Sequence, residues 1–327
     1  MTSLEGRVVK VAGAGVLGLS IAVELAEAGA AVTVFDPAPE TSASAAAAGM
    51  LAPVFEAVLD PLARGHYPLL LAARDAWPAF AERTGIALDR GGAVYAGSRG
   101  ETVRQALAEL GVASEARAAG LFVAEDWRVD AEASLERLRA AAKARGVRFE
   151  RQALDDPQGV DAIAATGWQP VSWAPESDAI SAIKGQILKL DAGIGDGPVE
   201  RRDGGYIAPG AGGGLLGATM QPGRTDREPD EAIRALVERT FPERAAGPSC
   251  GGEVRVGIRG ATPDGLPLAG PSRSAGVWLA MGARRNGWLL APLVAGMLRA
   301  YLAGEDPGPW APALDARRFT APDGTED

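Results

Sequence analysis

Three glycines at fixed spacing carry the first sign of chemistry. Gly13, Gly15 and Gly18 form a Gly-x-Gly-x-x-Gly pattern around Val16 and Leu17, and Asp36 follows. A bare backbone at Gly13 permits a tight turn. At Gly15 it admits a pyrophosphate, and at Gly18 it lets helix and strand pack closely. A helix opening at this loop presents free N–H groups and a partial positive charge to phosphates. Asp36 is placed to accept hydrogen bonds from ribose hydroxyls, which favours NAD or FAD over NADP. These residues predict dinucleotide binding and leave the choice between NAD and FAD open.

Other sources of reactivity are scarce. The chain has one histidine, His66, and one cysteine, Cys250. They cannot build the usual zinc sites, so no metal is expected. They exclude an intrachain disulfide and leave little room for a His-based triad. His66 lies far from any motif, and Cys250 reads as a small buried hydrophobe. With 33 Lys+Arg against 42 Asp+Glu, the net charge of −9 argues against general nucleic-acid binding. A bound cofactor is the natural supplier of chemistry. The 43 glycines include many that fit a coding bias, since the chain is rich in Ala, Gly and Arg. Those in motifs need a different explanation.

The elements that must position these residues can be read from periodicity. Arg7–Ala12 is a short β-rich run, Leu17–Gly29 has apolar residues at helical spacing, and Ala31–Phe35 is a second strand. Together they make a β-turn-helix-β unit. Helices are predicted over Pro68–Arg83, Glu101–Leu110, Asp130–Arg145, Asp230–Phe241 and Gly287–Leu302. Strands are predicted at 147–151, 160–165 and 277–281, and at 92–97, 184–190, 205–209, 215–219 and 253–259. The βαβ unit, 160–165 and 277–281 can share a parallel sheet; the second set forms a largely antiparallel one. The tail from Gly304 reads as mobile or surface-draped. No signal peptide or membrane span is expected, because Lys10, Glu24 and Glu27 interrupt the first apolar stretch. The expected location is the bacterial cytoplasm.

Four further segments, Ser44–Leu51, Gly204–Gly223, Ile258–Gly265 and Gly282–Pro292, resemble the D-amino acid oxidase superfamily, most of all its glycine oxidase branch associated with thiamin biosynthesis. The matches span nearly the whole chain in order. The resemblance implies an α/β fold with a Rossmann-like FAD-binding domain (1–65, 130–180 and 260–327) and a mixed or antiparallel-sheet substrate domain (66–129 and 181–259). It implies non-covalent FAD. Ser44, Ala48, Gly49 and Met50 would run beside the flavin, with Thr166 and Gly167 at a second motif. Arg285, Asn286, Gly287, Trp288 and Leu289 would form a third, and Val147 is a candidate for contacts to adenine.

By the same resemblance, Tyr206 and Arg259 would hold a substrate carboxylate, Arg285 would lie near the substrate entrance, and Met50 and Met220 would line the substrate pocket. Methionine suits core as readily as pocket. This chain departs from the family pattern in three places. Four alanines, Ala45–Ala48, follow Ser44 where the family has three. Ala283 stands where the family commonly has His. The 151–160 connection is short. The implied reaction is oxidation of a small amino acid or amine by hydride transfer to flavin N5. O2 as acceptor gives an imine or keto acid, ammonia and H2O2. An NAD-dependent dehydrogenase and a non-catalytic flavin-binding protein are the alternatives. Neither a nucleic acid nor a membrane is expected as partner, and oligomeric state is open.

Overall fold

The computed structural model describes residues 3–190, 197–210, 213–245 and 252–319. Cys250 lies outside them. The chain opens with β1 (Val8–Ala12), α1 (Val16–Glu27) and β2 (Ala31–Phe35), as the periodicity predicts. Next come α2 (Ala43–Ala46), β3 (Met50–Leu51), α3 (Pro53–Leu59), α4 (Pro61–Arg64), α5 (Tyr67–Asp75) and α6 (Trp77–Thr84). The single helix expected over 68–83 is therefore two. Pro78, in the first turn of α6, lacks an N–H and its ring opposes the carbonyl four residues back, so the helix stops and restarts.

The middle of the chain supplies β4 (Ala93–Tyr95), α7 (Gly100–Glu109), β5 (Glu115–Arg117), β6 (Gly120–Val123), β7 (Trp127–Arg128), α8 (Ala131–Ala144), β8 (Arg148–Glu150) and β9 (Asp161–Ala164). Then follow β10 (Ser181–Leu190), β11 (Val199–Arg202), β12 (Gly205–Gly210), β13 (Gly213–Gly217), β14 (Gln221–Pro222), α9 (Ala232–Thr240) and α10 (Pro242–Ala245). The chain closes with β15 (Gly252–Ala261), β16 (Leu268–Pro271), β17 (Val277–Met281), α11 (Gly287–Ala303) and α12 (Ala311–Leu314).

Two large sheets result. The first has the order β16-β17-β9-β1-β2-β8 and is parallel except for β16. Its inner strands are buried on both faces, which explains runs such as Ala162-Ile163-Ala164 that show no alternation. Helix α1 is buried on most of its surface, packed against α8 and α11. The second sheet runs β14-β10-β13-β12-β11-β4-β6-β5, with β15 pairing along all of β10. It is antiparallel except where β11 runs beside β4. Helices α5 and α6 share a core with α1 and α11, and the Trp77 indole N–H donates to the carbonyls of Trp288 and Leu289.

The end of the chain departs from expectation. Leu314 and Ala316 are buried, and Arg318 pairs with Asp264 at 2.8 Å, so residues 304–319 are docked on the first sheet's side. No helix among the described residues is long and apolar enough to cross a membrane.

Candidate active site

The glycine loop is shaped by what its neighbours exclude. Gly13 has φ +110°, and a Cβ there would stand 2.3 Å from the Ala165 carbonyl oxygen. A Cβ on Gly18 would stand 2.0 Å from the Gly13 carbonyl oxygen. Both glycines are therefore dictated by packing, one of strand ends and one of helix on loop. The Asp36 carboxylate accepts from the backbone N–H of Ala14 (2.7 Å) and of Ala38 (2.9 Å), which locks the turn after β2 onto the loop. The Ser44 hydroxyl accepts from the Val16 N–H at 3.0 Å and so occupies one free donor at the start of α1.

This loop borders a cleft of about 630 Å³. Gly13, Gly15, Val16, Leu17, Asp36 and Ser44 line it, joined by Thr166, Gly167 and Gly287. Further along, Leu154, Trp168 and Trp173 add apolar surface. Strand β15 forms part of the wall, and its glycines allow close approach: a Cβ on Gly257 would meet Ala43, and one on Gly260 would stand 2.2 Å from the Gly167 carbonyl. Val147, buried in the core, does not line the cleft.

A second cavity of about 260 Å³ meets the first at Arg259, which lines both. It gathers Ala48, Gly49, Met50, Tyr206, Met220, Arg285 and Trp288 from four separate stretches of chain. Of the predicted site residues, Gly18, Asn286 and Leu289 line neither cavity; Leu289 is core. His66, just before α5, lines neither as well.

Four further charged residues of this cavity, Glu56, Arg99, Arg201 and Arg202, escaped the sequence reading, and two of them are buried. Arg201 pairs with Tyr206 across β11 and β12, and its guanidinium lies 5.6 Å from the Tyr206 ring centroid. Glu56 on α3 faces it. One oxygen of Glu56, Oε1, accepts from Arg201 (3.4 and 3.5 Å) and from Arg285 (3.1 Å); Oε2 has no hydrogen-bond partner among the described residues. Both Glu56 and Arg201 are buried. Helix α3 is aimed by Asp126, a buried carboxylate that accepts from the N–H groups of Val54 (2.8 Å) and Phe55 (3.0 Å) in the first turn. Burial pushes the Asp126 carboxyl up to about 6 despite these donors and Arg201 nearby.

Arg259 stands apart electrostatically. Its Nη1 donates to the Thr219 carbonyl at 3.2 Å and lies 3.5 Å from the Met220 sulfur, with no carboxylate in ion-pair distance among the described residues. Burial holds its pKa below the usual arginine value, partly opposed by Tyr206. Burial raises the Tyr206 phenol, and Arg259, Arg201 and Arg285 oppose that rise. Arg285 is held above its usual range, first by Glu56 and also by Asp60. A partly buried guanidinium lacking an acidic partner beside a cavity is suited to bind an anion.

Known proteins resemble this chain in sequence and in fold. A family model described as FAD dependent oxidoreductase matches residues 9–301. The bifunctional protein ThiO/ThiG of Trichormus variabilis is 29% identical over 373 residues, covering 96% of this chain and 55% of its own length. Glycine oxidase of Pseudomonas aeruginosa is 32% identical over 113 residues, 30% of this chain and 29% of its own. The crystal structure of glycine oxidase from Geobacillus kaustophilus superposes with a TM-score of 0.78 at 25% identity, covering 95% of this chain and 98% of that one. That of iminodiacetate oxidase from Chelativorans sp. BNC1 gives 0.79 at 19% identity, a likeness of fold. The chain spans about half the length of the bifunctional relatives it matches.

Proposed function

The chain belongs to the FAD-dependent oxidoreductase family, and on that premise we propose that it oxidatively deaminates a small amino acid or amine with O2 as acceptor. Family membership sets aside the nicotinamide alternative. The residues fit the cofactor. The bare loop at Gly13–Gly18 opens α1 toward the cleft, and the Asp36 carboxylate lies at its edge. In this reading Gly13, Gly15, Val16, Leu17, Asp36, Ser44, Thr166, Gly167 and Gly287 hold FAD without a covalent bond. When bound, FAD supplies a two-electron acceptor that no side chain here can replace.

The observation that carries the substrate class is Arg259. Its partly buried guanidinium, with no carboxylate partner among the described residues, marks the junction of the two cavities and suits a carboxylate. Tyr206, on β12 and lining the same cavity, adds a hydroxyl donor. Glu56 offsets one of the two guanidinium charges of Arg201 and Arg285, so together with Arg259 the cavity keeps a net positive charge that favours an anionic substrate. Met50 and Met220 supply adaptable apolar wall. The chain's contribution is then to orient a neutral amine and to exclude water, with no strong side-chain base. The amine becomes an imine that water releases as a carbonyl compound and ammonia, and O2 becomes H2O2.

We place this activity in the cytoplasm. The deciding experiment is an anaerobic screen of the purified flavoprotein against amino acids and N-methyl amines. Bleaching of the flavin by a small amino acid, lost in Arg259→Ala, supports the reading. A flavin that no amine bleaches rejects it in favour of a non-catalytic flavin-binding protein.

A further inference from the structure

The larger cleft has an unexplained feature on the side facing the second sheet. Between β14 and α9 the chain runs as an irregular strap over residues 223–231. It is fastened by polar groups rather than by apolar burial. Lys184 on β10 is wholly buried, and its ammonium donates to Asp226 Oδ1 (2.6 Å), the Glu228 carbonyl (2.5 Å) and Asp230 Oδ2 (3.1 Å). Gln186 and Gln221 donate to Asp230 at 2.6 and 2.9 Å, and the Asp230 N–H donates back to Gln186 at 2.9 Å. Arg224 bridges Asp226 and Asp230. Such a buried ammonium is costly unless fully paired, and here it is paired three times.

This fastening brackets a short exposed run that begins at Arg227. Arg227 lies between the two anchored aspartates, exposed, and its side chain lines the cleft. Its guanidinium donates to the carbonyl of Thr41, three residues from the serine that caps α1. It has no carboxylate partner among the described residues. The other arginines of the cleft are otherwise placed: Arg284 pairs with Asp60, and Arg259 belongs to the junction with the second cavity. The glycine loop itself offers only N–H groups and a helix dipole, worth about half a charge. A pyrophosphate carries more negative charge than that, and Asp36 and Asp155 add to it.

We propose that Arg227 is a phosphate-binding residue for the dinucleotide, delivered across the cleft by a strap rooted in the second sheet. Cofactor retention then depends on a residue outside the glycine motif and on the Lys184 anchor that sets its position. The proposal concerns FAD retention alone, so it stands or falls separately from the identity of the amine substrate.

The test is FAD release from the holoenzyme on dilution, followed by flavin fluorescence at low and high NaCl. In Arg227→Gln, release at low salt is expected to be about tenfold faster than in the wild type, as for loss of one charge-assisted contact. The difference narrows near 1 M NaCl, where charge interactions reach only about 3 Å. Arg227→Lys is expected to fall between the two. Equal release rates at low salt overturn the proposal. So does an acceleration that is the same at both salt concentrations and equal in the Lys and Gln variants, which marks a purely structural role. Should Arg227→Gln be purified without flavin, Arg227→Lys is read alone, and release as slow as wild type, or faster by a salt-independent factor, overturns it.

Discussion

Gly185 lies directly against the guanidinium of Arg259: a Cβ built on Gly185 would stand 1.9 Å from Nη1 and 2.4 Å from Cζ. The two residues sit on the paired strands β10 and β15, where Gly185 faces Gly257 and Arg259 faces Ile183. Gly185→Ala is therefore expected to displace the guanidinium while leaving its charge intact. A shift of about 1 Å in a positioning group can cost about a hundredfold. KM for a carboxylate substrate should rise by ten- to a hundredfold, with flavin content unchanged. Steady-state kinetics on the best substrate from the amine screen checks this; an unchanged KM contradicts the assignment of Arg259.

Gly13→Ala meets two obstacles at once, a positive φ and a carbonyl oxygen 2.3 Å from the new methyl carbon. Neither neighbour is a flexible side-chain end. The variant is expected to lose bound flavin and to fall in stability by about 1–3 kcal/mol. Absorbance of the purified protein and its thermal midpoint provide the readout.

Glu56→Gln removes the one carboxylate among the described residues that contacts both Arg201 and Arg285. A buried pair broken on one side costs about 3–5 kcal/mol, because the remaining charge is left uncompensated. Arg201, almost fully buried, should dominate this cost. The double variant Glu56→Gln/Arg201→Met is expected to recover part of the lost stability, measured by urea unfolding of each protein. A double variant no more stable than the single one argues against Glu56 as the counter-charge of Arg201.

Asp126 gives a pH signature. Its folded pKa of about 6 lies above the ordinary value of about 3.9, so the folded state holds its proton more tightly. Stability contributed by this group is present below about pH 4 and lost as pH rises toward about 6. The stability of the wild type relative to Asp126→Asn should therefore fall across that window and level off above it. Urea midpoints at several pH values test this, and a flat difference contradicts a raised Asp126.

Much of the first sheet was legible because its residues obey local rules. Gly13, Gly15 and Gly18 stand between a β-branched run and an apolar helix, and Asp130 caps α8 as its position suggests. The charged core was not legible. Val199-Glu-Arg-Arg202 reads as a solvated edge, and nothing local says that Arg201 turns inward. Its burial comes from β11 pairing with β4 and from α3, more than a hundred residues earlier. Arg227 was hidden for the same reason: its role follows from Lys184, whose buried position is set by strand pairing over β10. The split of α5 from α6 was available in Pro78 and was overridden by the apolar spacing on either side.

The cofactor loop has one more implication, and it concerns inheritance. What Gly13 and Gly18 provide is missing atoms, and the partners they meet are carbonyl oxygens. Main-chain atoms do not change when neighbouring codons drift. Selection at these positions therefore acts to keep side chains out, while the apolar wall of the second cavity, with Met50 and Met220, is free to be rewritten one side chain at a time. A lineage could thus exchange substrates many times over without disturbing the part that makes it a flavoprotein.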